Sequence, residues 1–159
     1  MFKPEVYKGT GKFGVFLRLL FKAWSEDGNL GIIDEVVHND FVITNPPFGD
    51  MIHGPEEYKM AIAQCRSSFP DMQMWAERII WDDSRQTGVA RFKWTGTHKK
   101  DSLLFPFPPS GNKIDAIGMA MIRMEGTQMI REWGFDDHLG NFMQMNVIPA
   151  MDLAVVKRK

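Results

Sequence analysis

A single cysteine, Cys65, stands in a chain of 159 residues. That excludes an internal disulfide framework and leads to the expectation of a reducing, cytoplasmic compartment. Long apolar runs are also missing. No stretch approaches the ~20 residues of a membrane span, so no membrane role is expected. Charge of one sign is not in excess: the net charge is −1 and no basic face stands out, which gives no footprint for nucleic acid. The sequence has no phosphate-binding glycine loop, no Cys-x-x-Cys, no Gly-x-Ser-x-Gly and no dinucleotide fingerprint. Its histidines, His38, His53, His98 and His138, show no ligand spacing on any one element, so no metal is expected.

What is present describes one domain, 1–159, with 147–159 as a C-terminal tail ending in the solvated Lys157-Arg158-Lys159. Twelve methionines and twelve phenylalanines are many for this length and suit either a soft core or a cavity that adapts to apolar ligands. Val15 to Phe21 follows Lys8 and Lys12 loosely as in a signal peptide. Arg18 interrupts it, however, and no small-residue cleavage site follows Trp24, so a packed helix is expected.

Phe13, Phe16, Leu17, Leu20 and Trp24 recur with helical spacing. Asp27-Gly28-Asn29 breaks that helix, and Ile32 to Val37 suggests a short second one closed by His38-Asn39-Asp40. Phe41 to Thr44 reads as a strand stopped by Asn45-Pro46-Pro47. Pro55 followed by Glu56 and Glu57 starts a third helix, whose stripe is Tyr58, Ala61, Ile62, Cys65 and Phe69. The lone thiol lies on this stripe and is expected to be a core group, not a nucleophile. The period then changes. Met74–Trp81, Gly88–His98, Lys113–Met124 and Met129–Phe135 read as strands, with a proline-rich loop at Phe105–Gly111 and a closing helix at Leu139–Met145. Helices followed by consecutive strands make an α+β pattern.

Four local patterns carry a resemblance. Gly54-Pro55-Glu56-Glu57-Tyr58-Lys59, then Phe69-Pro70-Asp71, is similar to a "G-P-E-G-Y-K … F-P-D" helix, and Ala90-Arg91-Phe92 through Gly96-Thr97-His98 to an "A-R-W … G-T-H" strand. Pro108-Pro109-Ser110-Gly111 with Lys113 is similar to "P-P-T-G-K". Trp133, Asp137, Gly140 and Gln144 keep the spacing "W-x-x-x-D-x-x-G-x-x-x-Q". Together, in this order, they resemble the SnoaL-like polyketide and ester cyclases of the NTF2-like superfamily, over roughly residues 13 to 146.

The resemblance implies an NTF2-like cone: a curved antiparallel β-sheet wrapped around N-terminal helices and enclosing an apolar pocket. It also implies intramolecular aldol closure of a small hydrophobic substrate, without metal or cofactor, by one aspartate as general acid/base. Asp137 matches that residue by spacing. Strand parity, which groups it with Trp133 and Phe135, selects it over Asp136. Its alternative role is an N-cap for the closing helix. Arg123, on the adjacent strand, is a second catalytic candidate that would stabilise an enolate or orient Asp137; a surface salt bridge is its alternative. His98, Trp133, Trp94, Asn45 and Phe92 are the ligand-binding candidates, with a structural histidine as the other reading of His98.

The chain also departs from the family pattern. Asn45 stands where many relatives carry histidine, and Arg131 and Glu132 replace a common glutamate-histidine pair. The loop from His98 to Lys113 is long and holds Leu103, Leu104, Phe105 and Phe107, as a pocket lid or a dimer contact. Relatives commonly form homodimers through the outer sheet face. Three functions therefore stay open: a cofactor-free cyclase or isomerase, a non-catalytic protein binding small hydrophobic ligands, and an interaction module using the outer sheet face.

Overall fold

The computed structural model describes residues 11–25, 28–45 and 49–149. The tail 150–159, including Lys157-Arg158-Lys159, lies outside the described residues, as do Pro46-Pro47 and Asp27 of the expected breaks. Helix α1 (Lys12–Trp24) buries Phe13, Phe16, Leu17 and Leu20 of the stripe that its spacing predicts; Trp24, the fifth member, is half-buried, and Phe21 is buried as well. Ser25 ends it, with its backbone N–H and its hydroxyl both donating to the carbonyl of Phe21. The side chain of Asn29 accepts from the N–H of Gly31 and opens the short α2 (Ile32–Val36).

Strand β1 (Val37–Asn45) follows directly. His38, Asn39 and Asp40, expected to close the second helix, instead begin this strand. Strand β2 (Gly49–His53), which the sequence reading did not foresee, pairs with β1 at the sheet edge. Helix α3 (Gly54–Ser68) starts with Pro55 in its first turn, where a missing N–H costs nothing. Glu57 reaches back to accept from the N–H of His53 at 2.7 Å, and Lys59 pairs with Asp34 of α2 at 2.6 Å. Strands β3 (Gln73–Asp82), β4 (Thr87–Thr97), β5 (Lys113–Glu125) and β6 (Gln128–Asp136) and helix α4 (His138–Gln144) complete the chain.

The six strands form one sheet in the order β2-β1-β6-β5-β4-β3. The expected antiparallel pairing holds at every junction except one: β1 runs parallel to β6. The long excursion between them, through α3 and the meander β3–β5, permits that orientation. Extra residues at Glu77 in β3 and Ile130 in β6 break the ladder, and such bulges bend a sheet. Helices α1 and α3 pack on the inner face, against β3 and β1 respectively.

Burial along β5 alternates without a fault. Ile114, Ala116, Gly118, Ala120, Ile122 and Met124 point inward, and Lys113 through Glu125 at odd positions point outward. Phe16, Leu20, Tyr58, Ile62, Phe92 and Trp94 are buried, as expected. Trp133 is not. It lies half-buried on the outer face, with the Arg131 guanidinium 5.6 Å from its ring centroid. Among the described residues, no helix is long and apolar enough to cross a membrane.

Candidate functional site

Between the inner sheet face and helices α1, α3 and α4 lies a cavity of about 680 Å³. Its walls are apolar and largely aromatic, with Phe21, Trp24, Phe69, Phe92, Trp94 and Phe142 among them. Met51, Met72 and Met74 line it too, while Met124, Met129 and Met145 fill the core, so the methionines are shared between cavity wall and core. The segment Leu103–Phe107 covers one side. Phe105 packs edge-on to Phe69 at 5.0 Å, and Phe107 packs on Phe142 at 5.3 Å, while Leu103 is 87% exposed.

The polar groups gather at one end: Asn45 of β1, Glu132 and Asp136 of β6, and His138 and Asn141 of α4. The Asn45 amide donates to Asp136 Oδ2 at 3.0 Å, and its oxygen lies 3.4 Å from His138 Nε2. Burial pushes the Asp136 carboxyl above the usual carboxylate range, against the opposing pull of the Asn45 hydrogen bond and of His138. Glu132 is 8% exposed. Burial, and then the charge of Asp136, push it up to about 8, while a hydrogen bond from the Tyr58 hydroxyl pulls it down. Tyr58, fully buried, also accepts from Trp24 Nε1 at 3.2 Å. Glu132 Oε2 and Asn141 Oδ1 are buried with no protein partner.

The sequence-derived site is therefore redrawn. Asp137, chosen by parity, is exposed and caps α4, where its carboxylate accepts from the N–H of Gly140 at 2.8 Å. The parity was sound, but the face was the wrong one. Met129 is fully buried, and counting in twos from it would turn Arg131, Trp133 and Phe135 inward. The bulge at Ile130 adds one residue, so Glu132, Gly134 and Asp136 face Ile122, Ala120 and Gly118 instead. Phe135 is accordingly 64% exposed.

Arg123 lies exposed on the outer face of β5, opposite Arg131, and cannot reach the cavity. His98 is fully buried outside the cavity lining, beside the ring of Phe69 at 5.3 Å. Its Nδ1 accepts from the N–H of Ser110 at 3.2 Å, and its backbone exchanges hydrogen bonds with Gly111 and Asn112, so it ties the base of the 98–113 loop. Burial lowers its basicity. Asn45, Trp94 and Phe92 do line the cavity; Trp133 does not. Cys65 lines it as well, its thiol pushed up to about 12 by burial and the charge of Asp136. Among the described residues, no three histidine, cysteine, aspartate or glutamate side chains converge as a metal site would need. The residues that the sequence reading did not assign to the site are Glu132 with its partners Tyr58 and Trp24, and the α4 pair His138 and Asn141.

An α+β fold whose curved sheet and helices enclose an apolar cavity is the architecture of the NTF2-like superfamily. Solved structures agree. TsrD from Streptomyces laurentii is 19% identical, covers 89% of this chain and 100% of its own, and superposes with a TM-score of 0.76. A protein described as a SnoaL-like polyketide cyclase from Jannaschia sp. CCS1 is 18% identical over 94% of this chain and 99% of its own, with a TM-score of 0.74. A protein of ketosteroid isomerase-like fold from Catenulispora acidiphila is 10% identical over 82% and 92%, at 0.68. Among curated proteins none matches the sequence. The model of the SnoaL-like polyketide cyclase family matches residues 15–145, and the chain belongs to that family.

Proposed function

We propose that the protein is a cofactor-free cyclase or isomerase for a neutral, hydrophobic carbonyl compound, with Asp136 as its general acid/base. The observation that carries this reading is a carboxyl with raised proton affinity, held in place by Asn45 at the polar end of an otherwise apolar cavity. Family membership supports the reaction class. Among the described residues no lysine or arginine lines the cavity, which favours an uncharged substrate.

In an aldol closure, the Asp136 carboxylate removes a proton from the carbon next to one carbonyl. The resulting enolate carbon attacks a second carbonyl of the same molecule, forming the carbon–carbon bond. The new alkoxide then takes the proton back from Asp136, which returns to its starting state. A carboxyl with raised pKa serves both steps, because its proton affinity lies nearer to working pH. The cavity wall supplies the folded conformation that brings the two carbons together. On this reading the homodimer expected from the family would form through the outer sheet face, where Ile117, Met119, Met121 and Phe135 are exposed.

The test is deuterium incorporation at the methyl carbon of 2-acetylnaphthalene in D2O, followed by mass spectrometry. The protein is expected to accelerate exchange above buffer, unchanged by exhaustive chelation. Quenching of tryptophan fluorescence without any exchange would identify a binding protein instead, and loss of exchange on chelation would overturn the cofactor-free mechanism.

A further inference from the structure

Glu132 has a supporting arrangement that the acid/base cycle of Asp136 does not require. It stands on the inner face of β6, lines the cavity and is 8% exposed. The Tyr58 hydroxyl has one proton to give. Because the oxygen of Tyr58 accepts from Trp24 Nε1, that proton goes to Glu132. Of the two carboxyl oxygens Oε2 is fully enclosed, whereas Oε1 lies on the side of Gly134 and Asn45: a Cβ at Gly134 would stand 3.6 Å from Oε1 and 3.3 Å from the Asn45 amide nitrogen. The chain from α1 through α3 to β6 thus supports the carboxyl and leaves Oε1, beside Asn45, for whatever occupies the cavity.

The surroundings decide the charge. Sharing the cavity wall with Glu132 are Tyr58 and Cys65 from α3, Asp136 from its own strand, Asn45 from β1 and His138 and Asn141 from α4. Asp136 has the Asn45 hydrogen bond and the nearby His138 to support an anion. Glu132 has Tyr58 alone and the charge of Asp136 against it. Two carboxyls whose environments push them apart divide into a base and an acid.

We infer that Glu132 is the cavity's proton-bearing donor, its Oε1–H holding the oxygen of a neutral ketone, ester or enol while Asp136 moves the carbon-bound proton. The inference rests on the acid/base reading of Asp136. The proton stays on Glu132 throughout. Its hydrogen bond strengthens as charge develops on the substrate oxygen, and no net transfer is needed. The ligand class that follows is an apolar molecule presenting an acceptor oxygen at the polar end.

Benzophenone tests the donor alone, since it is apolar, carries one acceptor oxygen and has no hydrogen next to the carbonyl. Trp24 and Trp94 line the cavity, so quenching of tryptophan fluorescence reads its binding. With Glu132 titrating at about 8, affinity should fall about ten-fold between pH 6 and pH 9. Glu132→Gln, which keeps a donor and cannot ionise, should bind equally at both pH values. Tyr58→Phe should move the fall to higher pH, because the lost hydrogen bond favoured the anion. No binding at pH 6, a flat wild-type profile, or an unchanged fall in Glu132→Gln would overturn the assignment. Benzophenone cannot exchange, so either outcome leaves the deuterium test of Asp136 to stand or fall separately.

Discussion

Replacing Glu132 with glutamine should change how stability depends on pH much more than it changes stability in acid. In the unfolded chain a glutamate releases its proton near the ordinary 4.5, whereas in the folded cavity Glu132 holds it up to about 8. Between those values the folded state binds the extra proton, so wild-type stability falls as pH rises and levels off above the upper value. At 1.36 kcal/mol per pH unit, the interval from 4.5 to about 8 amounts to a ceiling on the order of 5 kcal/mol, with about 3 kcal/mol already lost by pH 7. That is a large share of the ~5–15 kcal/mol that holds a typical domain. Glutamine keeps the shape and still accepts from Tyr58, but it has no proton to lose. Urea unfolding at pH 5, 7 and 9 reads the difference. The two proteins should be nearly equal at pH 5, and the variant should be more stable by several kcal/mol at pH 9, with the denaturant slope unchanged. The residual slope of the variant combines Asp136 and Cys65, raised in the same direction, with His98, whose lowered basicity acts in the opposite sense. Parallel curves for the two proteins would refute the claim that Glu132 is buried and neutral.

Two further substitutions probe the frame around the site. Gly118→Ala would place a Cβ 2.3 Å from Phe92 Cζ and 2.8 Å from Asp136 Oδ1, so the ring and the carboxyl must shift. Overpacking of this kind should cost about 1–3 kcal/mol in urea unfolding and weaken binding of an aryl ketone. Asp137→Ala removes the α4 cap, and a loss of about 0.5–2 kcal/mol without change in ketone affinity is the expected result.

Local periodicity made most of the elements legible. The stripes of α1 and α3 and the alternation along β4 and β5 follow directly from residue order, because each of these elements has one apolar face. Strand β2 was not legible. Gly49 and Asp50 have low strand propensity, and the segment takes its strand form from backbone pairing with β1 at the sheet edge. The parallel contact of β1 with β6 joins segments far apart in the chain and leaves no local mark. Arg123, His98, Trp133 and Asp137 all proved to lie outside the cavity lining, and on β6 the misreading came from one residue. The extra Ile130 in β6 reverses which side chains enter the cavity, so the choice between the neighbouring carboxyls Asp136 and Asp137 turned on a bulge that composition does not announce. Glu132 was visible as a departure from the family pattern, but its meaning depends on Trp24 and Tyr58 arriving from two other elements.

The central claim is that the carboxyl at 136, and not its neighbour at 137, moves the proton. Deuterium incorporation into 2-acetylnaphthalene by Asp136→Asn and Asp137→Asn, measured side by side with the wild type, addresses it most directly. The account predicts a loss of ~10²–10⁴-fold for Asp136→Asn and a rate within a few-fold of wild type for Asp137→Asn. The contradicting result is the reverse order: exchange surviving in Asp136→Asn and lost in a folded Asp137→Asn.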